Sequence, residues 1–254
     1  MKDTFKLWKD IISNQFEGYK GLNDSTKLLI PLLTIIILFL ISTSLLMPIT
    51  TSKIYMEAIV RVQVSAAAEK GNEMSIEQQN VMAENLNSPT MRNITMVSTY
   101  VGGLVTFFLF TLLTALLLKL VVSSVKKDKI KFSLVLKVLL FATIVSMMQL
   151  LVKNGITLSG NWQRGLSRVN DMGSLQFALQ SPISFAALFD YSTMNKTVYM
   201  LIDAVTDIFN WIYYIFLYAG LKVTIGLEKT KALIITIVIA VVSISIGLIF
   251  TSLV

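Results

Sequence analysis

Five stretches of the chain stay apolar for about twenty residues, the length that carries a helix across roughly 30 Å of hydrocarbon. They fall at about 28–50, 100–122, 132–152, 207–227 and 232–254. The pattern predicts an all-α, polytopic membrane protein with five transmembrane helices in a single domain, 1–254. Pro31 falls in the first turn of the first stretch, where proline costs little, and Pro48 helps to end it. That stretch is too long for a signal-peptide core and no small-residue cleavage site follows, so it is expected to remain as an anchor.

The segments between are patterned too. In 1–27, Phe5, Trp8, Ile11, Ile12 and Phe16 recur at helical spacing with Lys6, Lys9 and Asp10 between them. This predicts an amphipathic leader lying in the cytoplasmic headgroup region, or else packed on the inner mouth of the bundle. The long connections 51–99 and 153–206 read as extracytoplasmic. The first has helical composition, with Ser75 and Gln78 spaced as a capping box. Its methionines can fill a local core or offer an adaptable partner surface.

Charge sets the orientation. Lysines cluster in the leader, in the 123–131 turn (Lys126, Lys127, Lys129, Lys131) and in the 226–232 turn (Lys229, Lys231). With five spans these lie on one side, and the positive-inside rule gives N-terminus in, C-terminus out. Lys119 and Lys137 are expected to snorkel toward water at the ends facing the 123–131 turn. Of 254 residues, 54% are hydrophobic and 15% charged, with a net charge of +7. The basic residues sit in short clusters beside apolar runs, which fits a membrane surface and not nucleic acid. Without Cys or His, thiol nucleophiles, the usual zinc sites and histidine acid–base chemistry fall away. No cofactor is expected.

Two features remain as candidate sites. Asp203 and Asp207 open the fourth apolar stretch at i, i+4 spacing, which puts both on one helical face. If the span begins at Val198, Asp207 lies about 15 Å deep, where a carboxylate needs a partner, cation or water. If 209–227 spans alone, residues 198–208 form an outside helix above an aromatic belt of Trp211, Tyr213 and Tyr214. No buried cation partner is evident at that depth, which favours the second frame. Intramembrane aspartyl proteolysis would need its two aspartates on different helices and in a Gly-X-Gly-Asp-like context, which the sequence around Asp203 and Asp207 lacks. In the last span, Ala232, Thr236, Ala240, Ser243, Gly247 and Thr251 recur every three or four residues. Such a stripe lets helices approach closely in lipid, within the bundle or against a partner; for a partner the residues of interest are Ala240, Ser243, Gly247 and Thr251.

Three stretches, "LWKDIISNQFEGYKGL", "VKKDKIKFSLVLKVLLFAT" and "LIDAVTDIFNWIYYIFLYAGLKVTIGLEKTKAL", resemble the Yip family of Ypt/Rab-interacting membrane proteins, in its bacterial Yip-domain branch. The resemblance implies five helices, a cytoplasmic N-terminus and no catalytic residues. Eukaryotic members work with small GTPases, but the Asp-Leu-Tyr-Gly-Pro signature before the first span is missing here, so small-GTPase binding is not carried over. Some bacterial relatives are accessory to ABC-type exporters, which makes an exporter a partner class to consider. The resulting expectation is a non-enzymatic, multi-pass protein of a bacterial plasma membrane that assists other membrane proteins. The rival is a small transporter or channel with Asp203 and Asp207 lining a cation or proton path.

Overall fold

The computed structural model describes residues 9–252, apart from 12, 24–25, 128, 161, 170, 180–181 and 191–192. Phe5, Trp8, Ile12 and Val254 therefore lie outside the described residues. Every regular element among the described residues is helical. In chain order they are α1 (Gln15–Lys20), α2 (Leu29–Thr50), α3 (Lys53–Glu69), α4 (Ile76–Asn87) and α5 (Pro89–Val97). A π-helical turn (Ser98–Gly102) leads into α6 (Gly103–Lys126), then α7 (Phe132–Ser159), α8 (Trp162–Ser167) and α9 (Met172–Leu179). A 3-10 turn (Phe185–Leu188) precedes α10 (Lys196–Thr206), α11 (Ile208–Val223) and α12 (Lys229–Ser252).

Four helical stretches are long and apolar enough to cross a membrane: 29–50, 89–126, 132–159 and 229–248. The pair α10 and α11 makes a fifth if it is counted as one broken span. Two of the helices outrun their apolar stretches, because hydropathy marks what a helix faces and not where its hydrogen bonds end. The second begins at Pro89, which occupies N1 with Ser88 as its cap. The third continues past Val152 to Ser159. Pro48 sits inside α2, which ends two residues later at Thr50. Ser52 then caps α3, accepting from the Tyr55 N–H at 3.2 Å. The Ser75–Gln78 capping box forms, with both reciprocal bonds present.

The chain divides into two compact units. The first gathers 1–38, 104–149 and 207–247, and so contains the leader and both lysine-rich turns. Its core includes Tyr19, Val138, Phe141, Leu217 and Leu221. The leader packs on protein here: Ile11, Tyr19 and Leu22 are buried, and α1 lies on α11. Gly220 makes this possible, since a Cβ there would collide with Val138 Cγ1 and come within 3.0 Å of Tyr19 Cε1. The Thr224 hydroxyl donates to the Tyr19 carbonyl at 2.9 Å. Phe16 meets Tyr218 edge-on, and Lys222 Nζ stands 5.3 Å from the Phe16 ring centre. Ile11, Phe16, Tyr19 and Leu22 of the leader thus meet the bundle. Lys137 departs from expectation too. It is buried and donates to the Asn23 carbonyl at 2.8 Å, a nearer polar group than bulk water.

The second unit gathers 39–103, 150–206 and 248–254. Ile49, Ala58, Val62, Leu166, Val169 and Leu175 form its core. Arg61 donates to the carbonyls of Leu166 at 2.6 Å and Val169 at 3.2 Å, tying α3 to the end of α8 and the turn that follows it. Asn154, also buried, donates to the backbone and hydroxyl oxygens of Ser42, joining α7 to α2. Gly103 lets Phe39 approach: a Cβ there would lie 2.7 Å from Phe39 Cζ, whereas one on Gly102 would meet nothing.

Candidate functional site

Asp207 is where the helix breaks. Its backbone is extended (φ −71°, ψ 116°), and it is the N-cap of α11. Aspartate suits that position because its carboxylate satisfies an orphan N–H and faces the positive end of the helix dipole. Oδ1 accepts from the Phe209 N–H at 2.9 Å. Oδ2 accepts from Gln149 Nε2 at 2.6 Å, and the same amide nitrogen lies 3.2 Å from Asn210 Oδ1. The Asp207 residue is fully buried.

Asp203 belongs to the other compact unit and has different partners. Its Oδ2 pairs with Lys153 Nζ at 3.2 Å, and its Oδ1 accepts from the Ser184 hydroxyl at 2.6 Å. Ser184 also caps the 3-10 turn, accepting from the Ala186 N–H. One turn along α10, Thr206 accepts from the Phe185 N–H at 3.0 Å. Two α10 side chains therefore fix the 184–186 segment in place.

These contacts revise the sequence reading twice. Asp203 and Asp207 do not share one helical face, because α10 ends at Thr206 and i, i+4 counting holds only in an unbroken helix. Asp203, moreover, has a cation partner that the sequence reading did not weigh, while the helix break at Asp207 agrees with the frame in which 198–208 is a separate helix. Lys153 follows the last residue of the third apolar stretch, and α7 carries it on past that point. Gln149 and Lys153 are themselves four residues apart on α7, and that matching interval was the available signal. Both carboxylates are thus engaged by this chain, one as a helix cap and one in an ion pair. Among the described residues no three carboxylates converge.

The small-residue stripe of α12 divides into two parts. Ala232 and Thr236 are buried, with the Thr236 hydroxyl donating back to the Ala232 carbonyl. Further along, Ala240 is half-buried and Ser243 exposed, although Ser243 hydrogen-bonds Tyr214. At Gly247 an added Cβ would meet no atom within 4 Å. The side chain of Thr251 lies outside the described residues.

Outside the apolar helices, one carboxylate titrates abnormally. Partial burial pushes Asp171 up, but the Lys196 ammonium at 2.9 Å and the Ser174 N–H outweigh it and hold the carboxyl below its usual value.

Most of the apolar surface points outward. In the membrane-length windows only 17% of the last helix and 22% of the 89–126 helix are buried, against 61% of α7. Helices apolar all round and packed on only one side belong in lipid or against another membrane protein. Among the described residues the regular structure is all helical, with four to five helices compatible with a multi-pass membrane protein. Comparison with family models, curated proteins and solved structures returns no match. The Yip likeness rests on its three sequence stretches.

Proposed function

We propose that this chain is a non-enzymatic, multi-pass membrane protein that assists another membrane protein by lateral contact in the bilayer. Its N-terminus lies in the cytoplasm and its C-terminus outside, in the plasma membrane of a bacterium. The observation that carries the reading is that only 17% of the last helix's membrane-length window is buried by its own chain, with room for a Cβ at Gly247. Close helix approach in lipid depends on such small positions. An exporter of the ABC type is the partner class that the Yip likeness favours.

The test is photocrosslinking in intact membranes from a probe at Val242 or Ile246, both about half exposed. The expected result is a discrete adduct with another membrane protein, lost on Gly247→Leu while the protein keeps its abundance and thermal stability. Adducts with lipid alone would refute the reading.

One observation favours a second reading, a transporter. A buried carboxylate at a helix break is the arrangement transporters use to hold ions. It ranks second because the Phe209 N–H and Gln149 already occupy that carboxylate. Asp207→Asn abolishing function at unchanged abundance and unchanged crosslinking would reverse the order.

A further inference from the structure

An open groove of about 660 Å³ lies at the C-terminal end of α6, lined by Lys119, Leu120, Ser123, Ser124, Lys127 and Lys129 among others. Three ammonium groups and the Ser123 hydroxyl line one space, while the Ser124 hydroxyl already donates to the Leu120 carbonyl at 2.9 Å; Asp128, between Lys127 and Lys129 in sequence, lies outside the described residues. Among the described residues no carboxylate pairs with Lys119, Lys127 or Lys129. Neighbouring Lys126 differs, since its Nζ donates to the Ile225 carbonyl at 2.8 Å. The end of a helix carries partial negative charge, so an anion here must be held by side chains and not by backbone.

The backbone supports the same conclusion. Lys127 closes α6 in the left-handed region (φ 58°), with its N–H donating to the Ser123 carbonyl at 3.0 Å. Helices commonly end this way, but with glycine, which takes that conformation without strain. A lysine here adds a charge beside the groove at a conformational cost. Leu120, in the groove lining, is also the last member of an apolar strip. Leu113, Leu117 and Leu120, spaced i, i+4, i+7 on one face of α6, are each more than half exposed. A cationic pocket at the end of an exposed apolar strip matches a molecule with an anionic head and a hydrocarbon tail.

We propose that this groove binds the phosphate of an anionic phospholipid, with Lys119, Lys127 and Lys129 on the headgroup and an acyl chain along Leu113, Leu117 and Leu120. The inference rests on the membrane reading, and it places the site on the lysine-rich side, where the leaflet is anionic. Free phosphate would satisfy the same donors but gains nothing from the leucines.

The test is native mass spectrometry of the full-length protein in detergent micelles, titrated with phosphatidylglycerol or phosphatidylcholine. The expected result is retention of one phosphatidylglycerol in preference to phosphatidylcholine. Each Lys→Gln substitution at 119, 127 or 129 should weaken that retention about fivefold, and all three together on the order of a hundredfold. Lys229→Gln with Lys231→Gln, on the same lysine-rich side, should leave it unchanged. Lys127 and Lys129 are exposed, so the double variant at those positions keeps the test valid should the triple variant misfold. Parental retention by the groove variants, or equal loss in the control, would overturn the site. Displacement by millimolar inorganic phosphate would overturn the lipid assignment in favour of a phosphate ion. Carbonate extraction of membranes separates the two levels: a chain that stays in the pellet yet binds no lipid selectively sinks only the groove, whereas an extracted chain sinks the membrane reading.

Discussion

Removing one member of the Lys153–Asp203 pair should destabilise the protein, whereas removing both should not. At 3.2 Å the gross attraction is about 5 kcal/mol for an effective dielectric of about 20. Desolvation of two ions offsets most of it. With side chains 16% and 28% exposed, the pair lies between the surface case, worth about 0–1 kcal/mol, and the buried case, where a lone survivor costs about 3–5 kcal/mol. Asp203→Asn or Lys153→Met alone should therefore cost about 1–3 kcal/mol. Asp203→Asn combined with Lys153→Met should fall within about 1 kcal/mol of the parent, since no uncompensated charge remains and asparagine still offers the Ser184 hydroxyl an acceptor. The assay is a double-mutant cycle on reversible unfolding in mixed micelles, with 0.5 M salt as a screening control. Additive single effects would refute the ion pair as a stabilising unit. A harmless Asp203→Asn that nonetheless abolished function would move the carboxylate from architecture to transport.

Three further outcomes are expected. Gly220→Leu should overpack the Tyr19–Val138 contact at a cost of about 1–3 kcal/mol and speed trypsin cleavage after Lys20; an unchanged cleavage rate would contradict the docking of the leader. The Asp171 carboxyl is held low in the folded state, so its contribution is fully present above the ordinary value of about 4 and is lost as pH falls through the lowered one. Asp171→Asn should remove that part of the acid destabilisation below about pH 4, and identical acid unfolding profiles would argue against it. A thiol introduced at Val254 should react with an impermeant reagent added outside intact cells, and labelling only after lysis would reverse the proposed orientation.

The membrane-length helices were legible because hydrophobicity over twenty residues constrains a chain more than any local motif does. Their ends were not. Lys153 read as the first residue of a connection since the apolar run stops at Val152, yet backbone hydrogen bonding carries α7 on to Ser159. Asp207 read as the lower member of a helical pair, although an aspartate directly before the Ile208-Phe209 run also matches a helix start. The two signals conflict, and spacing alone cannot decide between them. Periodicity in the leader revealed an apolar face but not its neighbour, because lipid and a protein groove both accept Ile11 and Tyr19. The complement to Tyr19 is an absent side chain, at Gly220, some two hundred residues away. The Ser75–Gln78 box was readable because both its halves lie within a single turn.

The continuous helical stretch from Pro89 through the π turn to Lys126 has 38 residues, about 57 Å at 1.5 Å per residue. A bilayer core takes up only about 30 Å of that. On the membrane reading, about 27 Å of helix is left to project beyond the lipid, enough for roughly five turns that a partner outside the bilayer could grip.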